Sequence, residues 1–319
     1  MRIAHINNIA GVAGTLARAQ RSLGHEAVVF ATQEPPFGFP YDVRIRGAEG
    51  PLGWNAAMVR RWRTFSEFDV IHVHGGIWRS QLFYPVFKRA HPRKTLAVHF
   101  HGSEARTGKG LHYLRFADLE FVSTMDLRAA VPGALWIPNP VEIPSSPAPL
   151  PDNPRPRFGH FPSLRTQKGT ERVTELFHEA FGPLDAVVES GVTKLQGKEA
   201  ELVVGSGIPH AKVLEMMASC DAVVDVINPH EGYGMVAIEA MALGRAVLGT
   251  LRPAWYPGCP IVRLGAEDDV GQLREMAANG AYRQRLGWAG REYVALVHGA
   301  GKVARAVTEA YERGRRSQA

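Results

Sequence analysis

The chain has 319 residues, 45% of them hydrophobic and 21% charged, which fits an ordinary globular protein of one large or two average domains. Its two cysteines, Cys220 and Cys259, are too few for a disulfide framework and lack the spacing of metal ligands, so we expect small buried groups. The sequence has neither a signal-peptide pattern nor an apolar run of about 18 residues, which predicts a cytoplasmic protein without transmembrane helices.

The net charge of +6 is concentrated in one half of the chain. Residues 1–150 carry 17 Lys and Arg against 11 Asp and Glu, whereas residues 151–319 carry 20 of each kind. No nucleic-acid-binding motif accompanies the surplus, so we predict no nucleic-acid partner. The surplus fits an anionic substrate or peripheral contact with an anionic membrane surface, such as the inner face of the cell membrane.

The first half alternates short apolar runs with helix-like segments. MRIAHIN and AVVFA predict strands, and TLARAQRSLGHE between them predicts a helix that stops at Gly24. Further strands are predicted at 69–75, 95–102 and 118–124. Strands that alternate with helices form parallel βαβ units, and the near-continuous apolar character of these strands indicates a sheet covered on both faces.

A turn of small residues separates the first strand from the first helix. Gly11 and Gly14 lie in this turn, without the spacing of a dinucleotide-binding fingerprint. The two glycines are consistent both with a loop that approaches a ligand and with a simple tight turn.

The segment 58–65 interleaves cations with aromatic rings. Arg60, Arg61 and Arg63 surround Trp62, a pattern that fits contact with a membrane interface or an anionic ligand. An ordinary helix with a basic outer face has the same pattern, and we favour this second interpretation.

Histidines gather where predicted strands end. Catalytic groups of open α/β sheets lie at the carboxyl ends of strands, so His101 is a candidate catalytic residue. His72, His74 and His99 occupy similar places, and for them we favour a structural role as hydrogen-bonded histidines.

The stretch Ile137–Arg157 contains eight prolines and predicts an extended linker. After it the pattern of strands and helices restarts, and the tail from about residue 270 predicts consecutive helices. We therefore predict an α/β protein of two doubly wound, Rossmann-like domains that face a cleft. The N-terminal domain is placed at 1–148, and the C-terminal domain, with the terminal helices, at 149–319.

Two cations, Arg165 and Lys168, lie between a predicted strand, RFGHFPS, and a predicted helix, KGTERVTELFHEAF. Cations at a helix start oppose the helix dipole, so a bound anion explains them better than a solvated surface does. With the helix N-terminus, they would stabilise a leaving diphosphate without a metal ion.

The strongest signal is the segment HEGYGMVAIEAMALGRAV, residues 230–247. Gly232 and Gly234 flank Tyr233 just before a predicted helix. Glycines let the backbone approach a ligand closely, and the helix start offers unpaired N–H groups and a positive dipole end. Both features suit a bound diphosphate.

Two carboxylates of this segment, Glu231 and Glu239, are separated by seven residues. Glu231 precedes the helix, whereas Glu239 lies within it among apolar neighbours, where an unpaired charge is costly. Carboxylates accept well from paired hydroxyls. The two therefore fit different parts of one ligand, such as sugar hydroxyls and a ribose.

This segment resembles the Glu-x7-Glu motif of the retaining family-four glycosyltransferases, which have the GT-B fold. The likeness extends over most of the chain: HFPSLRTQKGTERV resembles the family's phosphate-binding Arg/Lys segment, and AYRQRLGWAGREYV resembles its C-terminal helical region. Ala246 stands where the family often has proline, a departure confined to the turn after the motif.

The resemblance implies a role for each matched residue. Glu231 would bind the donor sugar hydroxyls, and Glu239 would hold the ribose of the nucleotide. A histidine near the donor sugar is common at the place of His101. The turn with Gly11 and Gly14 would lie close to the donor phosphate and the acceptor.

The function that follows is metal-independent transfer of a sugar from a nucleotide-diphosphate sugar to an acceptor hydroxyl, with retention of anomeric configuration. The expected catalytic residues are Glu231, His101, Arg165 and Lys168. The expected substrate-binding residues are Glu239, Gly232, Tyr233, Gly234, Gly11 and Gly14. No cofactor or metal is predicted besides the nucleotide sugar as co-substrate, and the acceptor is expected to be a glycan or a lipid, with an anionic one favoured by the charge.

Other activities remain open on the same fold. A sugar-nucleotide epimerase needs dedicated acid/base carboxylates, and a phosphorylase needs a lysine-bound pyridoxal group, for neither of which the sequence has a clear signature. A sugar-nucleotide-binding protein without catalysis would retain the same binding residues. Release of free nucleoside diphosphate distinguishes an active transferase from these alternatives.

Overall fold

The computed structural model describes residues 1–75, 82–108, 111–265 and 267–316. The chain divides into two compact units, the first formed by Met1–Pro140 with Gly299–Ala319 and the second by Val141–His298. Each unit is a sheet flanked by helices, which confirms the predicted α/β class with two Rossmann-like domains. Within the described ranges, no helix is long and apolar enough to cross a membrane.

The first unit contains a seven-stranded sheet whose paired strands are all parallel. Its strands are β1 (Arg2–Ile6), β2 (Glu26–Ala31), β3 (Val43–Arg44), β4 (Val70–His74), β5 (Thr95–Phe100), β6 (Leu119–Val122) and β7 (Leu135–Trp136). Their order is β3-β2-β1-β4-β5-β6-β7. The order reverses between β1 and β4, whose carboxyl ends therefore form a topological switch point.

The second unit contains another seven-stranded sheet. Its strands are β8 (Arg157–His160), β9 (Asp185–Glu189), β10 (Val192–Gln196), β11 (Glu201–Gly205), β12 (Ala222–Val224), β13 (Ala246–Gly249) and β14 (Val262–Arg263). Their order is β14-β13-β12-β8-β11-β10-β9. The chain crosses from β11 to β12 on the other side of β8, which makes β8 and β12 the switch point of this sheet.

One edge of the second sheet is antiparallel, a feature that the sequence patterns missed. β10 pairs antiparallel with both β9 and β11. The turn between β9 and β10 consists of Ser190 and Gly191, which both have positive φ angles, of 46° and 82°. Two-residue turns of this kind match the twist of a hairpin, so Ser-Gly was the signal available in the sequence.

Eleven helices flank the sheets over the described residues. They are α1 (Val12–Ser22), α2 (Gly50–Arg60), α3 (Trp62–Ser66), α4 (Phe83–Ala90), α5 (Ser103–Arg106), α6 (Thr170–Phe181), α7 (His210–Ala218), α8 (Met235–Ala242), α9 (Asp269–Ala278), α10 (Gly280–Val297) and α11 (Ala300–Arg316). Short 3-10 helices lie at Ile9–Gly11, Pro36–Gly38, Leu111–Phe116, Met125–Ala129 and Pro253–Trp255.

The two faces of the first sheet differ in chemistry. Ala4 and Ile6 of β1 contribute to an apolar core that also contains Phe30, Phe65 and Val98. Because side chains alternate along a strand, His5 points to the opposite face. There it contacts His72 and His74 of β4, which in turn contact His99 of β5, beneath α1 and α11.

In the second unit, α6 and α9 cover one face of the sheet through an apolar core that includes Phe158, Phe177 and Met276. α8 and α10 pack closely against each other. A Cβ at Gly287 of α10 would lie 2.1 Å from the carbonyl oxygen of Gly244, so glycine is required for this approach. The close packing fixes the position of α8, which carries Glu239.

The division of the chain differs from the predicted boundary at 148/149. The contacts separate the units after Pro140, at the start of the proline-rich stretch, and return α11 to the first unit. α11 packs against α1, β5 and β6, and the Tyr311 hydroxyl lies 2.5 Å from Nδ1 of His72. The consecutive terminal helices were correctly predicted. The last of them, α11, belongs to the first unit because its buried face packs against α1, β5 and β6.

Candidate functional site

The loops that follow β8 and β12 meet at the switch point of the second sheet. The Ile227 amide donates a hydrogen bond of 3.3 Å to the Lys168 carbonyl, which joins the loop after β12 to the loop after β8. The predicted segments around Arg165 and Glu231 are therefore brought to the same edge of the sheet, where open α/β proteins bind ligands.

Gly169 permits this contact. It has a φ of 68° and caps the N-terminus of α6. A Cβ at this position would lie 2.2 Å from the Ile227 carbonyl oxygen, far inside van der Waals contact. The backbone of the two loops can approach this closely only without a side chain here.

We expect Gly169→Ala to destabilise the protein more than Gly207→Ala. Gly207 has a similar φ of 72° but nothing within 4 Å of an added Cβ, so it serves as a matched control. The left-handed backbone costs about 1 kcal/mol in both variants, and the clash with Ile227 adds about 1–3 kcal/mol at Gly169. Urea unfolding measures the difference; equal losses would show that the two loops separate without cost.

Lys168 extends into the site next to the start of α8. A Cβ at Gly234 would lie 3.1 Å from Nζ of Lys168 and 3.7 Å from both carboxylate oxygens of Asp225. A side chain at residue 234 would therefore fill the space in front of the lysine. Over the described residues, the ammonium group makes no hydrogen bond or ion pair, which leaves its charge available to a ligand.

Asp225 fixes the backbone at the start of α8. It follows β12, is 3% exposed, and its Oδ2 accepts a 2.7 Å hydrogen bond from the Gly234 amide. Its Oδ1 is buried without a hydrogen-bond partner among the described residues. Sequence reasoning missed Asp225, although its place at the carboxyl end of a strand is one where site residues gather.

α8 begins at Met235 with Gly234 as its N-cap, as the sequence predicted. The amides of its first turn and the positive end of its dipole are directed to the region next to Lys168. Gly232 lies in the loop before the helix and is partly buried. Arg165 is exposed in the loop after β8, and its side chain bonds to no described residue.

Glu231 lies in a strained loop and lines a cavity. Its φ is 50°, an uncommon conformation for a residue with a side chain. Its carboxylate accepts a 2.8 Å hydrogen bond from Nε of Arg252 and lies 3.7 Å from Nη2 of Arg263. The cavity, of about 320 Å³, is lined by Glu231 and Arg263 together with Asn228 and Thr250.

Glu239 is nearly buried but has a partner. It is 7% exposed, and its Oε1 lies 2.7 Å from Nε2 of His210, the first residue of α7. The hydrogen bond to Glu239 raises the pKa of His210, against the effect of burial. The contact with His210 explains how the Glu239 carboxylate is tolerated among apolar neighbours, where an unpaired charge would be costly.

The Tyr233 side chain packs inside the second unit, and its role in substrate binding stays a prediction. It is 4% exposed, and its hydroxyl lies 2.9 Å from that of Tyr293 and 2.8 Å from Nε2 of His298. The ring is therefore fixed against the end of α10. Partners 60 and 65 residues away decide its direction, which no local pattern reveals.

Gly11 and Gly14 lie at the switch point of the first sheet. A Cβ at Gly11, which has a φ of 77°, would lie 2.8 Å from the Phe39 ring. The Gly14 amide donates a 3.1 Å hydrogen bond to Oδ1 of Asn8, and a Cβ at Gly14 would lie 3.0 Å from Nδ2 of the same side chain. Close packing thus explains both glycines, while a role in ligand binding stays a prediction.

His101 is the outer end of a histidine network in the first unit. Its Nε2 lies 3.0 Å from Nδ1 of His74, whose Nε2 lies 3.0 Å from Nδ1 of His5. Nδ1 of His101 lies 2.6 Å from Oγ of Ser123, which also contacts His99. The structural role predicted for His74 and His99 is confirmed, and His72 joins the same cluster through Tyr311.

Burial keeps this network neutral. It lowers the pKa of His5 and of His101 to about 4, and lowers the pKa values of His72, His74 and His99 well below the ordinary value. Two overlapping sets, His5-His72-His74 and His74-His99-His101, bring ring nitrogens within 4.8 Å of one another. Both nitrogens of His5, His74 and His101 have hydrogen-bond partners, so the geometry is that of a hydrogen-bonded network.

The basic segment 58–65 has an aromatic face that is turned inward. The Trp62 ring packs edge-on against Phe83 and Phe87, at centroid distances of 5.9 and 5.2 Å. Phe65 is completely buried. The structure therefore fits the favoured interpretation of an ordinary helix with a basic outer face, on which Arg60 and Arg63 are exposed together with Val59.

Comparison with known proteins gives a clear result at the level of structure alone. No protein-family model matches the chain, and no curated protein matches it in sequence. HepE of Anabaena, solved with UDP and glucose, matches with a TM-score of 0.69 and 14% identity over 98% of this chain and 100% of that one.

An alpha-glucosyltransferase bound to UDP and a 13-mer DNA has the same TM-score of 0.69, with 12% identity over 98% of this chain and 99% of its own. An alpha-glucosyltransferase in complex with UDP matches with a TM-score of 0.67 and 11% identity, over 98% and 100% of the chains.

The chain has the GT-B fold. At 11–14% identity, these neighbours establish the architecture, and the assignment of chemistry depends on the residues themselves.

Four residues near the candidate site escaped the sequence patterns: Asp225, His210, Arg252 and Arg263. Each lies next to a predicted residue only through tertiary structure. Asp225 could have been predicted from the sequence because it directly follows a strand. No local sequence pattern indicated that His210, Arg252 or Arg263 would lie at the site.

Proposed function

We propose that this protein is a glycosyltransferase that binds a nucleotide-diphosphate sugar in its second unit and transfers the sugar to an acceptor hydroxyl. The observation that carries the proposal is that Lys168, the first turn of α8 and the loop of Glu231 meet at one sheet edge, while Glu239 lies further along the same helix α8. Neighbours with the same fold were solved with UDP or UDP-glucose, which supports a uridine nucleotide as the first donor to test.

We place the diphosphate of the donor beside Lys168 and the first turn of α8. Departure of a nucleoside diphosphate develops negative charge on the leaving oxygen. A fixed cation about 4 Å away stabilises that charge by up to ~4 kcal/mol at an effective dielectric near 20. Lys168 supplies such a cation beside the α8 amides, and Arg165 supplies a second one from the exposed part of the same loop.

The two carboxylates take separate parts of the donor. Glu231, oriented by Arg252 at the wall of the cavity, accepts hydrogen bonds from the sugar hydroxyls. Glu239, with His210 on one of its oxygens, accepts from the ribose through the other. The hydrogen bond to Glu239 raises the pKa of His210, which favours the charged form of the ring beside the proposed ribose position.

We propose transfer with retention, of the family-four kind. The acceptor hydroxyl attacks the anomeric carbon on the face that the diphosphate leaves. The bond from that carbon to the phosphate oxygen breaks, the new glycosidic bond forms, and the hydroxyl proton passes to the leaving diphosphate. His101, whose pKa burial lowers to about 4, is proposed to contact the sugar as a neutral ring by exchanging its hydrogen bond with His74 or Ser123 for one with the substrate.

The acceptor is the open part of the proposal. Charge in the first unit favours an anionic glycan or lipid. One neighbour was solved with DNA, so nucleic acid belongs among the acceptors to be tested, although the sequence predicted none. A sugar-nucleotide epimerase and a binding protein without catalysis remain the alternatives.

Turnover with UDP-, GDP-, ADP- and dTDP-sugars, read as nucleoside diphosphate release in the presence of glycan, lipid and DNA acceptors, tests the proposal. We expect release with one donor, dependent on acceptor and unchanged after EDTA treatment, because Lys168 and Arg165 replace a metal. Interconversion of the sugar without release would indicate an epimerase. Loss of activity in EDTA, with rescue by Mg²⁺ or Mn²⁺, would contradict the metal-independent mechanism.

A further inference from the structure

Four arginines of the first unit line one concave surface. Arg44, Arg46, Arg60 and Arg61 surround a cavity of about 700 Å³, and its other lining residues are neutral. Arg44 ends β3, which is the edge strand of the sheet, and Arg60 ends α2. The cavity therefore lies at the sheet edge, whereas the switch point of this unit lies between β1 and β4.

The positive charges in this cavity are not neutralised by nearby carboxylates. Nη1 of Arg44 donates a 3.0 Å hydrogen bond to the Ala31 carbonyl, and the nearest acid, Glu34, is 4.0 Å from its Nε with 74% of its side chain exposed. Within the described residues, the side chains of Arg46, Arg60 and Arg61 form no hydrogen bond or ion pair. Guanidinium groups held together in this way repel each other.

The net charge of the first unit is also positive, which favours an anionic ligand. Met1–Pro140 with Gly299–Ala319 contains 22 Lys and Arg against 12 Asp and Glu, a net charge of +10. Val141–His298 contains 15 against 19, a net charge of −4. The two units thus differ more in net charge than residues 1–150 and 151–319 do. The positive surplus lies in the unit that contains the arginine cavity.

We propose that this cavity is a second anion site, which binds a ligand carrying two or more phosphate groups. Planar guanidinium groups bind phosphate oxygens in pairs, and several arginines around one concave surface suit more than one phosphate. A volume of about 700 Å³ is within the range of small-ligand pockets. The site goes beyond the donor site, since it is in the other unit and shares no residue with it.

A simpler interpretation exists for part of the cluster. Arg60 and Arg61 lie at the C-terminus of α2, where the helix dipole favours cations without any ligand. Arg44 and Arg46 come from a different element, however, and the dipole of α2 gives no reason for them to face the same cavity. Binding of an anion explains all four together.

Calorimetric titration with inorganic tripolyphosphate tests the site, in a Lys168→Ala background so that the donor site contributes little. Adding Arg46→Gln and Arg60→Gln should weaken binding at least tenfold. Arg63→Gln with Arg93→Gln, two exposed arginines outside the cavity, removes the same charge and should leave the affinity within twofold. Thermal melting checks that all variants are folded.

Sedimentation with phosphatidylcholine vesicles, with and without phosphatidic acid, then separates the sources of phosphate. Binding to acidic vesicles that the cavity variant loses would assign the site to a lipid headgroup, and tripolyphosphate binding alone would assign it to a soluble ligand. Equal weakening in both arginine pairs, no tripolyphosphate binding, or cavity-dependent binding of duplex DNA alone would overturn the proposal. Because the donor site is weakened in this background and lies in the other unit, these outcomes do not depend on the proposed transferase activity.

Discussion

Glu231→Gln should reduce turnover by about 10²–10³-fold while the affinity for nucleoside diphosphate changes little, because loss of one preorganised contact to the reacting sugar typically has this effect. Arg252 and Arg263 hold the carboxylate at the wall of the cavity, in a backbone conformation with a φ of 50°. The neutral amide retains the size of the side chain but loses its charge and one acceptor oxygen.

Steady-state kinetics with the donor identified by screening measures this effect. Glu215→Gln is the matched control, since Glu215 is exposed and its ion pair with Lys212 lies on the surface of α7. The control should retain normal turnover. Near-normal turnover in a folded Glu231→Gln variant would remove Glu231 from the catalytic residues.

Acid should destabilise the first unit as the pH falls below about 6.5, the ordinary pKa of histidine. Each of the five histidines in the network has a pKa below the ordinary 6.5 because burial disfavours its charged form. The unfolded chain therefore binds more protons below pH 6.5, and stability that is complete above this pH is lost as the pH falls.

The expected size of the acid effect is large. For His5, a pKa shift from 6.5 to about 4 corresponds to a loss of about 3 kcal/mol. Each proton that the network takes up only on unfolding changes the stability by about 1.4 kcal/mol per pH unit. The contribution of His5 alone is a large part of the stability of a typical domain, which is about 5–15 kcal/mol.

Urea unfolding at a series of pH values, followed by hydrogen exchange of the β4 and β5 amides, measures the proton uptake of this unit. His5→Asn should lower the uptake by about one proton, whatever its effect on stability. His178→Asn, at an exposed position of α6, should leave the uptake unchanged. A flat stability profile between about pH 7 and pH 5 would show that the network is not held neutral.

Much of the candidate site could be predicted from the sequence because its residues lie in short, recognisable local patterns. The loop that carries Glu231, the start of α8 beside Gly234, and the strand ahead of Lys168 each follow from a short pattern. Parallel strands then bring their carboxyl ends to one edge, so segments about 60 residues apart, such as those of Lys168 and Ile227, meet without any long-range signal in the sequence.

Other features depend on contacts that no local pattern contains. The Tyr233 ring is held in the interior because its hydroxyl contacts Tyr293 and His298. The last helix joins the first unit because its buried face packs on α1, β5 and β6. The periodic apolar pattern of a helix shows that one face is buried but does not identify the sheet that covers it.

Binding of UDP to the intact protein, measured by titration calorimetry, tests most directly the claim that the second unit holds a nucleotide-diphosphate sugar. We expect saturable binding that weakens at least tenfold in both Lys168→Ala and Glu239→Ala, because one loses the cation beside the α8 amides and the other the carboxylate for the ribose. Lys212→Ala, an exposed lysine of α7, should bind UDP as the unchanged protein does. If UDP fails to bind, the titration is repeated with GDP, ADP and dTDP. Absence of binding by all four, or binding that neither Lys168→Ala nor Glu239→Ala weakens, would contradict the assignment of the donor site.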